Sequence, residues 1–147
     1  MPRAHHRASS DVPLSMAAHF SAAEFLCRCA RPECDAIRDV SPDLLARLER
    51  LRERLGRPLV VTSGIRCAWQ NQRVGGVDGS EHVLGRAADL AMPTSPERYA
   101  VIEANFTVPT LFTRLGVGGT FVHVGVSDEL ASKVLWVYGQ RSRGERV

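Results

Sequence analysis

Apolar positions along the chain follow two different periods, and each period predicts its own kind of element. Leu44, Leu45, Leu48, Leu51 and Leu55 recur at helical spacing between Ser41-Pro42 and Gly56. The serine reads as an N-cap, the proline as a first helical residue and the glycine as the stop, so a helix is predicted between them. Upstream, Ser21-Ala22-Ala23-Glu24 has the form of a capping box and predicts a short helix that carries Phe25 and Leu26 into the core. Pro58-Leu59-Val60-Val61-Thr62 has instead the length and β-branched enrichment of a buried strand, running into the loop Ser63-Gly64-Ile65-Arg66. A polar, glycine-rich stretch spans Asn71 to Ser80. Ala87 to Ala91 predicts a second strand, and Ser95-Pro96-Glu97 opens a second long helix that runs to about Phe106. Gly116 to Gly119 punctuates the last part, after which Phe121 to Val126 and Val134 to Tyr138 read as strands. Helices first and strands later predict an α+β fold, a small and mostly antiparallel sheet with the N-terminal helices packed on it.

Composition sets the boundaries. A chain of 147 residues with 44% hydrophobic positions is suited to one globular domain. The first eighteen residues, rich in His, Arg, Ser and Pro, read as a flexible arm. The domain is expected over residues 19–139 and a basic tail over 140–147. No stretch approaches the roughly 20 apolar residues of a membrane span. Arg3, His5, His6 and Arg7 are followed by no continuous apolar h-region, so no signal peptide is expected. The net charge of +3 is spread out, apart from Arg47, Arg50, Arg52 and Arg54 and the tail arginines Arg141, Arg143 and Arg146. Solvated faces explain both runs, and no basic stripe or module points to a nucleic-acid partner. A weakly cationic surface would favour encounter with an anionic polymer. Of four cysteines, Cys27, Cys29 and Cys34 lie close together and Cys67 stands apart. Their C-x-C-x4-C spacing differs from the C-x2-C pairs of common zinc modules, which ranks disulfides or reduced thiols ahead of structural zinc. Cys67 is expected to pack near one of the other three, bracing the Arg66 loop.

The residues with most chemistry are Ser80-Glu81-His82-Val83-Leu84-Gly85-Arg86-Ala87-Ala88-Asp89-Leu90, read with Phe121-Val122-His123-Val124. A catalytic zinc takes three protein ligands and leaves a fourth position for water, and two histidines with one carboxylate form such a set. His82 lies in a loop, Gly85 lets the chain turn back, and Asp89 follows on a strand. His123 sits between Val122 and Val124, which point the other way into the core. Singly, a histidine between valines is more often a hydrogen-bonded core residue and an aspartate at a strand end more often a cap. Taken with their spacing, their order also matches that of a known family, and that resemblance changes the weighting.

In these motifs the chain resembles the zinc D-alanyl-D-alanine carboxypeptidases and murein endopeptidases, a group that shares its fold with lysostaphin-type enzymes and the hedgehog signalling domain. The pattern Ser-x-His-x-x-Gly-x-Ala-x-Asp is met at Ser80, His82, Gly85, Ala87 and Asp89. Ser-Gly-x-Arg is met at Ser63, Gly64 and Arg66, an Asn and a Gly-Gly pair at Asn71, Gly75 and Gly76, and Phe-Val-His-Val at Phe121 to Val124. The likeness covers roughly His19 to Tyr138. It implies that His82, Asp89 and His123 bind Zn2+, that Arg66 holds a substrate carboxylate or carbonyl, and that a metal-bound water attacks a peptide bond. The implied partner is bacterial peptidoglycan peptide, with a D-Ala-D-Ala carboxypeptidase or an endopeptidase as the activity. Ser80 is read either as a bond to a ligand or the substrate backbone or as a turn-forming serine, Asn71 as a loop organiser, and Trp136 as core or a wall of the cleft.

Many relatives carry an acidic residue or second histidine shortly before the last ligand, or an aspartate two positions after it. Here those positions are Thr120, Phe121 and Gly125. Glu81 and Asp78 are the carboxylates that a loop could bring to the metal, with a solvated loop face as the simpler account of both. The rival function is a zinc-binding, non-catalytic wall-binding or virion structural module. A phage or prophage origin is the expectation for delivery, the wall being reached through lysis, a holin or the virion, with export of a host protein by another route as the alternative.

Overall fold

The computed structural model describes residues 19–139. The expected arm and tail, including Arg141, Arg143 and Arg146, lie outside the described residues. A 3-10 helix, Ala22–Phe25, comes first, then α1 (Pro42–Leu55), β1 (Val61–Ser63), α2 (Ala68–Arg73), β2 (Ala87–Ala91), α3 (Ser95–Phe106), β3 (Arg114–Val117), β4 (Phe121–Gly125) and β5 (Val134–Val137). The strands form one five-stranded sheet in the order β1-β2-β4-β3-β5. Among the described residues only the β3–β5 pair is parallel, so the architecture is the expected α+β with a mostly antiparallel sheet. Among the described residues no helix is long and apolar enough to cross a membrane.

Local chemistry explains the ends of the helices. Ser41 Oγ accepts from the Leu44 amide and Pro42 opens α1, while Gly56 takes φ +65° at its end, a left-handed conformation that glycine adopts without a Cβ penalty. The leucine stripe of α1 is buried at Leu44, Leu45, Leu48 and Leu51. In α3 the cap is Thr94, with Glu97 completing a capping box. The core joins α1 and Val101 of α3 to Ala88, Leu90, Leu115, Val122 and Val124 on one face of the sheet. Alternation along the strands therefore turns Asp89 and His123 to the opposite face.

Several expectations from the sequence are corrected. The residue after the first short helix, Leu26, is 39% exposed, and only Phe25 is buried. A 3-10 turn that ends at Phe25 presents one side chain inward and leaves the next outside. The strand expected from Pro58 begins at Val61 and extends to Ser63. Leu59 and Val61 are buried while Val60 is 59% exposed, the alternation of a half-covered edge strand and not of a fully buried one. Gly116, read as punctuation, lies inside β3, and α2 occupies part of a stretch that has no apolar period. Cys67 does lie beside Cys27, Cys29 and Cys34, and all four are free thiols.

Candidate metal centre

Sheet register assembles the site. Asp89 on β2 faces His123 on β4, His123 faces Gly116 on β3, and Gly116 faces Trp136 on β5. On the other side, Ser63 of β1 faces Asp89. One row of residues thus crosses all five strands, with neighbouring Cβ atoms about 4.5–5.5 Å apart where strands oppose directly. Gly116 serves that row by its missing side chain, because a Cβ there would lie 2.6 Å from the Trp136 ring. The indole leans across it to within 5.1 Å, centroid to centroid, of the His123 ring.

His82 reaches the row from the turn before β2. Its carbonyl accepts from the Arg66 and Gly85 amides, and its own amide donates to Ser80 Oγ. Gly85 takes φ +69°, and a Cβ there would lie 2.9 Å from the Asp39 carbonyl. Position 85 therefore excludes side chains twice over, by backbone conformation and by space.

Three donor atoms converge. His82 Nε2 lies 3.2 Å from Asp89 Oδ1 and 3.1 Å from His123 Nδ1, and His123 Nδ1 lies 3.0 Å from Asp89 Oδ1. The opposite ring nitrogens are each committed as donors, His82 Nδ1 to the Gly64 carbonyl at 2.7 Å and His123 Nε2 to Glu81 Oε1 at 2.7 Å. Assigned from these partners, both tautomers aim a lone pair at the centre of the triangle, where the carboxylate oxygen adds further negative charge. Three acceptors at such spacing repel unless a cation sits among them. A tetrahedral ion with bonds of about 2.0–2.1 Å needs donor separations of about 3.3 Å, close to those present. The residues fit a zinc ion in identity, protonation and spacing.

The electrostatics agree. Burial raises the Asp89 carboxyl, but the neighbouring His123 and His82 imidazoles outweigh it and hold the group well below the usual carboxylate range. Burial pushes the His82 imidazole down, more strongly than Asp89 lifts it. His123 is also pushed down by burial, yet Asp89 and Glu81 on its two sides together raise it.

Around this triangle the structure distributes the other candidate residues. Arg66 sits one layer out, its Nη2 on Asp89 Oδ2 at 3.1 Å, its Nε on Ser63 Oγ and its Nη1 on Asn71 Oδ1. It bridges side chains and not the backbone carbonyls expected of an ordinary loop arginine. Two of its five N–H groups are free of these contacts. Ser80 is buried and its hydroxyl organises the His82 turn. Asn71 organises its loop by donating to the Val77 carbonyl. Asp78 is exposed, as expected of a solvated loop.

Glu81 is not on a solvated face. It is 1% exposed, with Oε1 on His123 Nε2 and Arg114 Nε and Oε2 on the Ser127 amide. Burial raises its carboxyl, and His123, Arg114 and Ser127 together bring it below the ordinary value. The carboxylate lies behind His123, away from the nitrogen that faces the triangle. Gly125 makes room for it, since a Cβ there would fall 1.9 Å from Glu81 Oε1. The missing carboxylate at strand position 125 and the unexpected burial of Glu81 are therefore one feature: the loop supplies an acid to the space the strand leaves open.

Two aromatic residues complete the wall. Trp136 stands between His123 and Arg114, whose guanidinium lies 5.3 Å from its ring centroid. Tyr138, expected at the end of the last strand and given no role there, lies one residue past β5 with its ring 6.1 Å from that of Trp136, centroid to centroid; burial and the Asp89 and Glu81 carboxylates push its phenol above the ordinary range against the lowering effect of Trp136. Its period-2 spacing from Trp136 was the available signal. The family model described as Peptidase M15 matches residues 18–125 of the chain. A search among curated proteins finds no match.

Proposed function

The chain belongs to the peptidase M15 family, and from that premise and the donor set we propose that it is a zinc metallopeptidase that hydrolyses peptide bonds of bacterial peptidoglycan. Its target is the stem peptide or the cross-bridge, cut in the manner of a D-Ala-D-Ala carboxypeptidase or an endopeptidase. The observation that supports this best is the convergence of three lone pairs, from His82 Nε2, Asp89 Oδ1 and His123 Nδ1, on one point within 3.0–3.2 Å of one another.

His82, Asp89 and His123 would hold the ion. When bound, zinc supplies a water of lowered pKa and polarises the scissile carbonyl. The protein's own residues orient the rest. The Gly64 carbonyl and Glu81 fix the ring planes and tautomers of the two histidines. Arg66 holds Asp89 in alignment through Oδ2, and its remaining N–H groups are suited to a substrate carboxylate or carbonyl through a planar, directional contact. Ser80 acts through the turn that presents His82. Trp136 excludes water from one side of His123 and offers an apolar surface to a peptide. Glu81 is in this reading a positioning residue, because both its oxygens are already engaged by protein groups.

That engagement is also what favours the second reading, a non-catalytic zinc-binding wall or virion module. Digestion of purified cell walls and of a defined stem peptide separates the two. The enzyme is expected to release new termini, to stop with a chelator and to resume when zinc is restored. Absence of cleavage by zinc-loaded protein on both substrates would favour the module. Delivery by phage lysis or a virion belongs to the same proposal and is tested by wall digestion from outside intact cells.

A further inference from the structure

Between the 3-10 helix and α1, residues 26–41 contain neither helix nor strand. A segment of that length seldom holds its shape inside a compact domain without another constraint. Three cysteines lie in it, Cys27, Cys29 and Cys34, and the fourth, Cys67, caps the N-terminus of α2. All four sulfurs lie within 4.8 Å of one another, and none is in a disulfide. Cys29 and Cys67 are buried, at 7% and 3% exposure.

Three of the sulfurs accept backbone N–H groups. The Cys67 amide donates to Cys27 Sγ at 3.3 Å, the Arg31 amide to Cys29 Sγ at 3.4 Å and the Gln70 amide to Cys67 Sγ at 3.3 Å. A thiol is a weak acceptor, so donors aimed at sulfur suit the ionised form that a metal binds. Ala30 takes φ +56°, a left-handed conformation that alanine rarely adopts, and the next amide, that of Arg31, points back at Cys29. This turn follows Cys29 and returns the chain to its sulfur, a contact that the C-x-C-x4-C spacing does not reveal. Two disulfides would join the sulfurs in pairs, whereas here each sulfur is near all the others.

We propose that Cys27, Cys29, Cys34 and Cys67 form a second, structural zinc site, separate from the His82–Asp89–His123 centre. Binding replaces four thiol protons with one Zn2+ and leaves a net charge of −2, with Arg28, Arg31 and Arg66 within two residues of its ligands in sequence. A tetrahedral Zn–S4 centre has sulfurs about 3.8 Å apart, which the 4.8 Å limit on the separations here allows. The ion would tie the irregular segment to the residue that follows Arg66, fixing that arginine from behind while Asp89 holds it in front.

The test uses the full chain, produced with zinc and purified without oxygen under reducing conditions. Two zinc ions per chain are expected, and one in a His82→Ala/His123→Ala variant. Cobalt(II) in that variant is expected to give strong sulfur-to-metal charge-transfer absorption, and zinc X-ray absorption a sulfur shell at about 2.3 Å. Cys29→Ser/Cys67→Ser is expected to lose one ion and the charge-transfer bands; should it not fold, the wild-type spectra decide. One zinc per wild-type chain with no charge-transfer band, or disulfides in protein kept reduced throughout, would overturn the proposal.

Discussion

Truncation of Glu81 to alanine removes three contacts at once, those with His123 Nε2, Arg114 Nε and the Ser127 amide. His123 and Arg114 have side chains only 4% and 14% exposed, so solvent is a poor substitute partner for either. Two magnitudes follow. Losing the group that orients a metal-binding histidine typically weakens metal affinity 10- to 100-fold, or about 1.4–2.7 kcal/mol. Stranding a buried cation by deleting its partner costs about 3–5 kcal/mol of fold stability. Glu81→Gln is a milder change: its amide oxygen still accepts from His123, but the charge facing Arg114 is gone and a donor now meets the Ser127 N–H. It is expected to fall between wild type and alanine on both scales. Zinc affinity is read by competition with a chelator of known affinity, and stability by denaturant unfolding of the metal-free protein. An alanine variant that binds zinc within twofold of wild type and unfolds at the same denaturant concentration would refute the positioning role.

Gly125→Ala puts a carbon where Glu81 Oε1 now lies, so it is expected to weaken zinc binding in the wild-type background and to do little in Glu81→Ala; equal effects in both backgrounds, measured in a double-mutant cycle, would remove the link between them. Arg66→Lys keeps the charge but loses the fork shared by Ser63, Asn71 and Asp89, so cleavage of a stem peptide is expected to fall on the order of 10- to 100-fold while zinc stoichiometry holds. Normal cleavage by a folded, zinc-loaded variant would end the anchoring proposal. Glu97, held below the usual carboxylate range by the Thr94 amide and hydroxyl, contributes stability that is complete above its unfolded value of about 4.3 and is lost as pH falls through the depressed folded value. Melting temperature against pH is therefore expected to fall less steeply below pH 5 in Glu97→Gln; an unchanged slope would show that the capping carboxylate contributes nothing there.

Helix ends were legible because their signals are local. Ser41, Pro42 and Gly56 act through the backbone within one turn, and the leucines between them need only a common face. The grouping of His82, Asp89 and His123 was legible mainly through the family resemblance of their motifs, to which the turn at Gly85 and strand alternation add a physical reason. What escaped depended on contacts across the sheet. β3 contains a glycine at its centre, and only the neighbouring Trp136 explains why a strand would tolerate it. Glu81 looks like a loop carboxylate until Gly125, forty-odd positions later, leaves space for it. α2 is six residues long and buries only Asn71, too little for a periodic signal. Leu26 and Phe25 are equally apolar, and their different burial is decided by where a short 3-10 turn stops.

The row from Ser63 through Asp89, His123 and Gly116 to Trp136 also bears on how the chain reaches its native state. If β2 paired with β4 one residue out of step, Asp89 would turn into the leucine core and an apolar neighbour would face His123. Such a mispaired sheet has no cation site. An ion that binds only the aligned row favours it by RT ln(1 + [L]/Kd), about 4.1 kcal/mol at a free concentration 1,000 times Kd. Metal supply during folding would then act as proofreading of strand pairing. A chain refolded in chelator is expected to recover less native near-ultraviolet signal than one refolded with zinc, and zinc added afterwards would restore only the molecules whose strands had already paired correctly.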